Sequence, residues 1–222
     1  MQETGSKISV RIASQGYLYS YSGARSEWLG AACIFSTSEF QRKYDHVEIS
    51  VFNPVFALVP EHFFNEEKAA DILADIAGEV KRAKVAYKSI PEFGAVAIYS
   101  METGENMSRV ISDLVRLTDG SRAEPLPEQY HILKSMGNIS EYNKVVASYA
   151  DGRLYLAVGQ GRSLLLCNSY PAEDFTTAQY YIFSALKRFQ MNPEITGIWM
   201  RTPLSVEDEQ SLYNYFKQVE RI

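Results

Sequence analysis

The chain has 222 residues, of which 46% are apolar and 22% charged, a balance typical of a folded globular protein and not of a disordered one. Its formal net charge is −5 and no basic stripe runs through it, so the composition disfavours a nucleic-acid-binding protein. The N-terminal segment MQETGSKISV has no apolar leader, and no apolar run approaches the ~18 residues that cross a membrane. The sequence therefore predicts a cytoplasmic protein with neither a nucleic-acid nor a membrane partner.

The first sixty residues are predicted to form strands joined by short turns. In the segment 7–13, KISVRIA, apolar and polar residues alternate, which is typical of a strand with one buried face. Four further strands are predicted, at 17–22, 28–35, 46–52 and 53–60. Their spacing predicts an antiparallel meander.

A helix is predicted after this meander. Asn65 is a suitable N-cap, and an apolar stripe recurs at helical spacing from Ala69 to Tyr87. Gly78 lies inside this stripe, where a glycine costs a helix about 1 kcal/mol relative to alanine. Pro91 marks the predicted end of the helix.

The remainder of the chain alternates between strands and helices. Strands are predicted at 95–101, 144–150, 153–158, 163–168 and 194–200, and helices at 105–117, 127–136, 171–189 and 205–219. Glu173 and Asp174 fall in the first turn of one helix, where negative charge complements the helix dipole. A catalytic acid–base pair is the alternative interpretation of these two carboxylates. Ser205 begins the last helix with a capping-box-like signal.

The two halves of the chain show a weak sequence repeat. A shift of 136 residues aligns GYLYSYSG (16–23) with GRLYLAVG (152–159), and four of the eight positions are identical. Both segments are the second predicted strand of a meander that opens its half. The repeat predicts an internal duplication, with residues 1–92 and 93–222 as the two halves.

Two segments, NPVFALVPEHFF (53–64) and CNSYPAEDFTTAQYYIFSAL (167–186), resemble the most characteristic stretches of an uncharacterised bacterial family with an actin-like ATPase fold. That fold belongs to the ribonuclease-H-like group. The resemblance implies an α/β protein with a duplicated actin-like fold, each half opening with a β-meander followed by helices. These segments carry packing residues and no chemical motif, so they indicate a fold more than a function.

The resemblance also implies where a nucleotide would bind. In actin-like ATPases, a turn after the first strand of each half carries glycines that approach the phosphates and an acidic residue that helps to hold Mg²⁺. The corresponding turns here are ASQG, which ends at Gly16 and has no carboxylate, and ADGR, with Asp151 and Gly152. A glycine pair expected near the adenosine is reduced to Gly197. These four residues are the candidate cofactor-binding positions.

The Asp151-Gly152 step permits two interpretations. Asp-Gly between alternating apolar runs is a strong signal for a β-hairpin turn, and this interpretation is favoured. A phosphate-binding loop is the alternative. The step GQGR at 159–162 is likewise predicted to be a hairpin turn, since strand and not helix follows it.

Other chemistry has little support in the sequence. The histidines His46, His62 and His131 are isolated from one another, and Cys33 and Cys167 lie in apolar runs that predict buried thiols in a reducing compartment. No metal site and no catalytic residue is predicted. Three tyrosines, at positions 17, 19 and 21, share one predicted strand face, which either covers a sheet or stacks on a ring ligand or base.

These observations predict a non-catalytic protein of the actin-like fold that acts as a scaffold or binds a protein partner, with no cofactor. Tyrosine, which is enriched at protein interfaces, occurs 15 times. The alternative is a divergent ATPase that binds ATP with Mg²⁺ between the halves.

Overall fold

The structure is a computed structural model that describes residues 6–78, 81, 84–101 and 104–222. Contacts divide the chain into two compact units. Unit 1 contains the residues up to Asn53 together with Ser100–Glu128, and unit 2 contains Pro54–Tyr99 and Gln129–Ile222. Both units are discontinuous along the chain, so neither coincides with the halves expected from the sequence repeat. The boundary at residues 92 and 93 concerns that repeat and stays a prediction.

The elements of the described residues are numbered along the chain. The strands are β1 (Lys7–Ala13), β2 (Gly16–Tyr21), β3 (Ala24–Arg25), β4 (Lys43–Tyr44), β5 (His46–Val51), β6 (Phe56–Pro60), β7 (Val85–Ile90), β8 (Ala95–Ser100), β9 (Arg116–Leu117), β10 (Pro125–Pro127), β11 (Asn143–Ala150), β12 (Arg153–Gln160), β13 (Ser163–Pro171), β14 (Gly197–Met200) and β15 (Gln218–Arg221). The helices are α1 (Ala69–Ala77), α2 (Glu105–Leu114), α3 (Glu128–Asn138), α4 (Phe175–Arg188) and α5 (Val206–Tyr213). No helix in the described part of the chain is long and apolar enough to cross a membrane.

The main sheet of unit 1 has five strands in the order β10–β5–β1–β2–β3. β1 pairs antiparallel with β2 and parallel with β5, and β5 pairs parallel with β10. The alternation of β1 places Ile8, Val10 and Ile12 on one face, where they are buried in the core of the unit together with Ile111 of α2. The predicted strand at 7–13 is therefore confirmed, but the parallel pairing shows that these strands are not a simple antiparallel meander.

The three tyrosines of β2 line the core face of the unit 1 sheet. Tyr17 and Tyr19 pack against Phe40, with ring centroids 5.3 and 5.7 Å apart. Tyr21 packs against Tyr44 at 5.4 Å, and burial raises the pKa of Tyr44 to about 12. These rings cover the core of unit 1, which favours the structural interpretation of the tyrosine face.

The predicted strand at 28–35 is wrong. A 3₁₀ helix spans Ala31–Ser36, and only Leu29 bridges to a strand, through Tyr17. The hydroxyls of Ser36 and Thr37 both donate to the carbonyl of Cys33 at 3.0 Å. Such local bonds compete with sheet pairing because they satisfy backbone acceptors inside a turn.

Within unit 2, the segment between β5 and α2 forms a three-stranded sheet in the order β6–β8–β7, with α1 packed against β6 and β7. Asn65 begins the helical segment, since its side chain accepts from the N–H of Glu67 at 2.9 Å. The helix ends at Ala77, because Gly78 adopts a φ of +81°. The predicted continuation to Tyr87 is wrong, since Tyr87 lies on β7. The predicted stripe also includes residues 80 and 83, which lie outside the described residues.

The main sheet of unit 2 has the order β13–β12–β11–β14–β15. β11 pairs antiparallel with β12 and parallel with β14, and β12 and β13 form a second hairpin. α4 and α5 supply buried residues to the core on one face of this sheet, among them Ile182 and Leu212. The last predicted helix is too long, because the chain leaves α5 at Tyr213 and Val219 lies on β15, where it pairs with Ile198.

The two main sheets share the same strand order and the same strand directions. In each sheet, one central strand pairs antiparallel with the strand that follows it and parallel with a later strand. A third antiparallel strand and a last parallel strand occupy the two edges of each sheet.

Candidate functional site

The turn at Asp151 and Gly152 joins β11 to β12. Ala150 pairs with Arg153 across the two strands, so Asp151 and Gly152 alone connect the strands. Their φ angles are +53° and +62°, the left-handed values that a type I′ turn requires at both central positions. The predicted hairpin is confirmed, and a role of these residues in binding phosphate stays a prediction.

The segment around Ala172 packs beside this turn and forms hydrogen bonds there. The N–H of Ala172 donates to the carbonyl of Gly152 at 2.8 Å, and the hydroxyl of Tyr149 donates to the carbonyl of Ala172 at 3.1 Å. Two residues further along, Asp174 caps α4 and accepts from the N–H of Thr177 at 2.7 Å. This hydrogen bond lowers the pKa of Asp174, so the carboxylate is charged at the end of the helix where an anion would otherwise bind.

A second capped helix contributes to the same region. Ser205 Oγ accepts from the N–H of Asp208 at 3.0 Å and so begins α5. Burial raises the pKa of Tyr149, and the negative charges of Asp174 and Asp208 raise it further. Both carboxylates therefore act electrostatically on the end of β11. The predicted helix start near residue 171 is wrong, since α4 begins at Phe175 and Asp174 is its N-cap instead of a first-turn residue. This capping role favours a structural interpretation of Asp174 over a catalytic pair with Glu173.

Gly16 lies at the corresponding turn of unit 1, between β1 and β2. Its φ is +146°, and a Cβ built there would lie 2.1 Å from the carbonyl oxygen of Leu29. Leu29 is held in place by two backbone hydrogen bonds with Tyr17, of 2.9 and 2.7 Å. The backbone of Gly16 therefore lies close to the backbone of Leu29, and only a glycine permits this close contact.

Gly197 occupies a different end of its sheet from Asp151. It is the first residue of β14 and pairs with Lys144, near the start of β11. Asp151 follows the last residue of β11, so the length of that strand, on the order of 20 Å, separates the two. A Cβ at Gly197 would lie 2.4 Å from the ring of Trp199. The structure thus places Asp151 and Gly152 in one turn and separates that turn from Gly197. Close packing against Leu29 and Trp199 explains why glycine occupies positions 16 and 197.

Metal and thiol chemistry find little support in the described residues. Among them, no group of three or more His, Cys, Asp or Glu side chains is close enough to hold a metal ion. Both cysteines are free and half-buried, and Cys33 lies on a 3₁₀ helix instead of the expected strand. Desolvation raises the pKa of the Cys167 thiol to about 12, so that thiol is a poor nucleophile.

A groove that the sequence did not reveal runs between β13 and α4. Its volume is about 640 Å³, within the range of roughly 300–1,000 Å³ common for binding pockets. Tyr170 of β13 stacks on Tyr181 of α4, with ring centroids 4.6 Å apart. The lining also includes Leu165, Leu166, Phe189 and Arg188. The run SLLLCNSYP is apolar enough to suggest burial, but the sequence does not say that β13 lies at the edge of its sheet.

Solved structures define the class of this fold. Over 98% of its length, the chain is similar to 90% of a Bacteroides thetaiotaomicron protein with an actin-like ATPase fold and unknown function, at 18% identity and a TM-score of 0.64. It is also similar to the cytoplasmic domain of EpsL, an inner membrane component of the type II secretion system of Vibrio cholerae. That match has 12% identity and a TM-score of 0.53, and it covers 90% of this chain and 83% of the other. The chain therefore has an actin-like ATPase fold, as the resemblance implied.

The family follows from the sequence. The family described as "Protein of unknown function (DUF3822)" matches residues 29–219, and the chain belongs to it. The predicted membership of an uncharacterised family with this fold is confirmed. Among curated proteins, no sequence matches the chain.

Proposed function

We propose that this protein is a non-catalytic member of the actin-like ATPase fold that acts by binding another protein, as a scaffold or assembly partner. The observation that carries the proposal is the chemistry around the Asp151-Gly152 turn. The carboxylate of Asp174 accepts from the N–H of Thr177 and so occupies an N–H at the start of α4 that could otherwise bind an anion. We therefore propose no cofactor for this protein.

The turn of unit 1 supports the same proposal. Gly16 has no carboxylate beside it in the segment ASQG, and its open side faces the carbonyl of Leu29. A carbonyl oxygen offers no hydrogen-bond donor to a phosphate. Both turns that would hold phosphate in an ATPase of this fold are therefore explained by hairpin geometry and packing.

A role in a protein assembly is supported by a fold relative. EpsL is a component of the type II secretion system of Vibrio cholerae, so this fold is used inside larger assemblies. We propose a comparable protein-binding role here. A cytoplasmic location also belongs to this proposal and rests on the composition of the chain.

We further propose that the fold arose by internal duplication in the ribonuclease-H-like manner. The two main sheets share strand order and direction, and the shift of 136 residues carries Lys7, the first residue of β1, onto Asn143, the first residue of β11. Sequence and topology therefore point to the same repeat.

Calorimetric titration with Mg·ATP and Mg·ADP tests the non-catalytic proposal. No binding up to millimolar nucleotide is expected. Micromolar binding would refute the proposal and favour the divergent ATPase. In that case the Asp151→Ala variant should no longer bind the nucleotide. If Asp151 is only a turn residue, the same variant should change the stability of the protein and not its nucleotide affinity.

A further inference from the structure

β13 is a long strand whose outer edge has no partner strand in the part of the chain that the structure describes. The N–H of Ala172 bonds inward to the carbonyl of Gly152, and inward and outward positions alternate along an antiparallel strand. Ser169 and Cys167 are three and five residues before Ala172, so their backbone N–H and C=O groups point away from β12, toward the open edge. Among the described residues, the N–H of Ser169 bonds to the side chain of Asn168, at 2.8 Å, and to no other group. Proteins usually protect such an edge, because it can pair with another chain.

The groove lies directly beside this edge. Leu166 pairs with Val158 and Tyr170 with Leu154, and both partners belong to the core that α4 covers. The side chains of Leu166 and Tyr170 therefore point to the α4 side of the sheet. An extended segment added to the edge of β13 would direct every second side chain into the groove, which is how strand addition combines backbone affinity with side-chain specificity.

Charge indicates which segment fits. Arg188 is exposed at the groove and forms no ion pair with any described residue. The described lining has no carboxylate, and neither does β13 itself. The site therefore favours an added segment that carries a carboxylate.

We propose that the β13 edge and its groove bind an extended segment of a partner protein, which adds as a strand to β13. Aliphatic or aromatic side chains at alternate positions enter the groove, and an Asp or Glu of the segment pairs with Arg188. The inference rests on the proposed protein-binding function and assigns a site to it.

The test is a selection of random displayed peptides, long enough to run along β13, on the full-length chain. Selected peptides are synthesised, and their affinities are measured by fluorescence anisotropy for wild type and for two pairs of variants. Ser169→Pro removes an outward N–H without breaking the β12–β13 ladder, and proline is tolerated on edge strands. Ser169→Ala is its control. Arg188→Glu reverses the charge at the groove, and Lys187→Glu makes the same change at an exposed position outside the described lining.

The expected peptides alternate apolar and polar residues and carry a carboxylate. Ser169→Pro should weaken them roughly ten-fold through the lost backbone hydrogen bond, and Arg188→Glu roughly three- to ten-fold. Both controls should bind as wild type does, and circular dichroism should show that all four variants are folded. The variants thus separate lost binding from lost folding.

Three results would overturn the inference: no selected peptide, selected peptides that bind Ser169→Pro as tightly as wild type, or a dimer that Ser169→Pro dissociates. The last result would assign the edge to a second copy of the chain. None of these outcomes bears on nucleotide binding, so the non-catalytic proposal stands or fails separately by calorimetry.

Discussion

Replacing Gly16 with alanine distinguishes a packing glycine from a phosphate-binding one. The new Cβ would lie 2.1 Å from the carbonyl oxygen of Leu29, at a φ of +146°. Backbone strain at such a position costs about 1–3 kcal/mol, and forcing neighbouring atoms apart costs about 1–3 kcal/mol more. We therefore expect Gly16→Ala to lower the free energy of unfolding by about 3 kcal/mol.

Urea denaturation followed by circular dichroism measures this loss. Gly23→Ala is the matched control, because Gly23 also has a positive φ, +81°, but no atom lies within 4 Å of its built Cβ. The control should lose only about 1 kcal/mol from backbone strain. If Gly16→Ala were no less stable than Gly23→Ala, Gly16 would not be fixed by Leu29, and the packing explanation would be wrong.

Three other predictions concern packing, ionisation and reactivity. Gly197→Ala should displace the Trp199 indole, which would lie 2.4 Å from the new Cβ; a stability loss of about 1–3 kcal/mol and a changed tryptophan fluorescence are expected, and unchanged fluorescence would contradict this. The hydrogen bond from Lys134 lowers the pKa of Glu92, so its stabilisation is present above the unfolded pKa and is lost as pH falls through the lower folded pKa. Urea midpoints should therefore fall more steeply below pH ~4.5 in wild type than in Glu92→Gln, and equal slopes would count against the pair. Because desolvation raises the pKa of the half-buried Cys167 thiol to about 12, this thiol should react with a disulfide reagent at neutral pH more than about ten-fold more slowly in the folded than in the unfolded chain; comparable rates would contradict the raised pKa.

Features set by neighbouring residues were predictable from the sequence. The hairpin at Asp151 depends on two residues and the strands beside them, and its pairing is as expected. The helix starts at Asn65 and Ser205 were also predictable, since each cap bonds to an N–H within three residues. Such signals are complete within a few residues of sequence. The start of α4 was not predicted correctly, because the helix was expected from residue 171 and begins at Phe175, after the cap Asp174.

Features set by distant contacts were not predictable. One local feature was also missed: the segment at 28–35 has the composition of a strand, but hydroxyls three and four residues after Cys33 bond to its carbonyl and fold the segment into a turn. Val219 continues a helical stripe in sequence, yet its pairing with Ile198 places it on β15. The groove beside β13 exists because β13 is at the edge of its sheet, and the sequence of β13 does not indicate that position. The sequence singles out the glycines at 16 and 197 as candidate cofactor-binding positions, whereas the groups that approach them, Leu29 and Trp199, become visible only in the folded chain.

Calorimetric titration of the full-length chain with Mg·ATP tests the central claim most directly. Our proposal rests on the cap that Asp174 makes beside the Asp151-Gly152 turn and on the close approach of the Leu29 carbonyl to Gly16. We therefore expect no heat of binding up to millimolar nucleotide. Saturable binding at micromolar concentration, abolished by Asp151→Ala in a chain that remains folded, would contradict it.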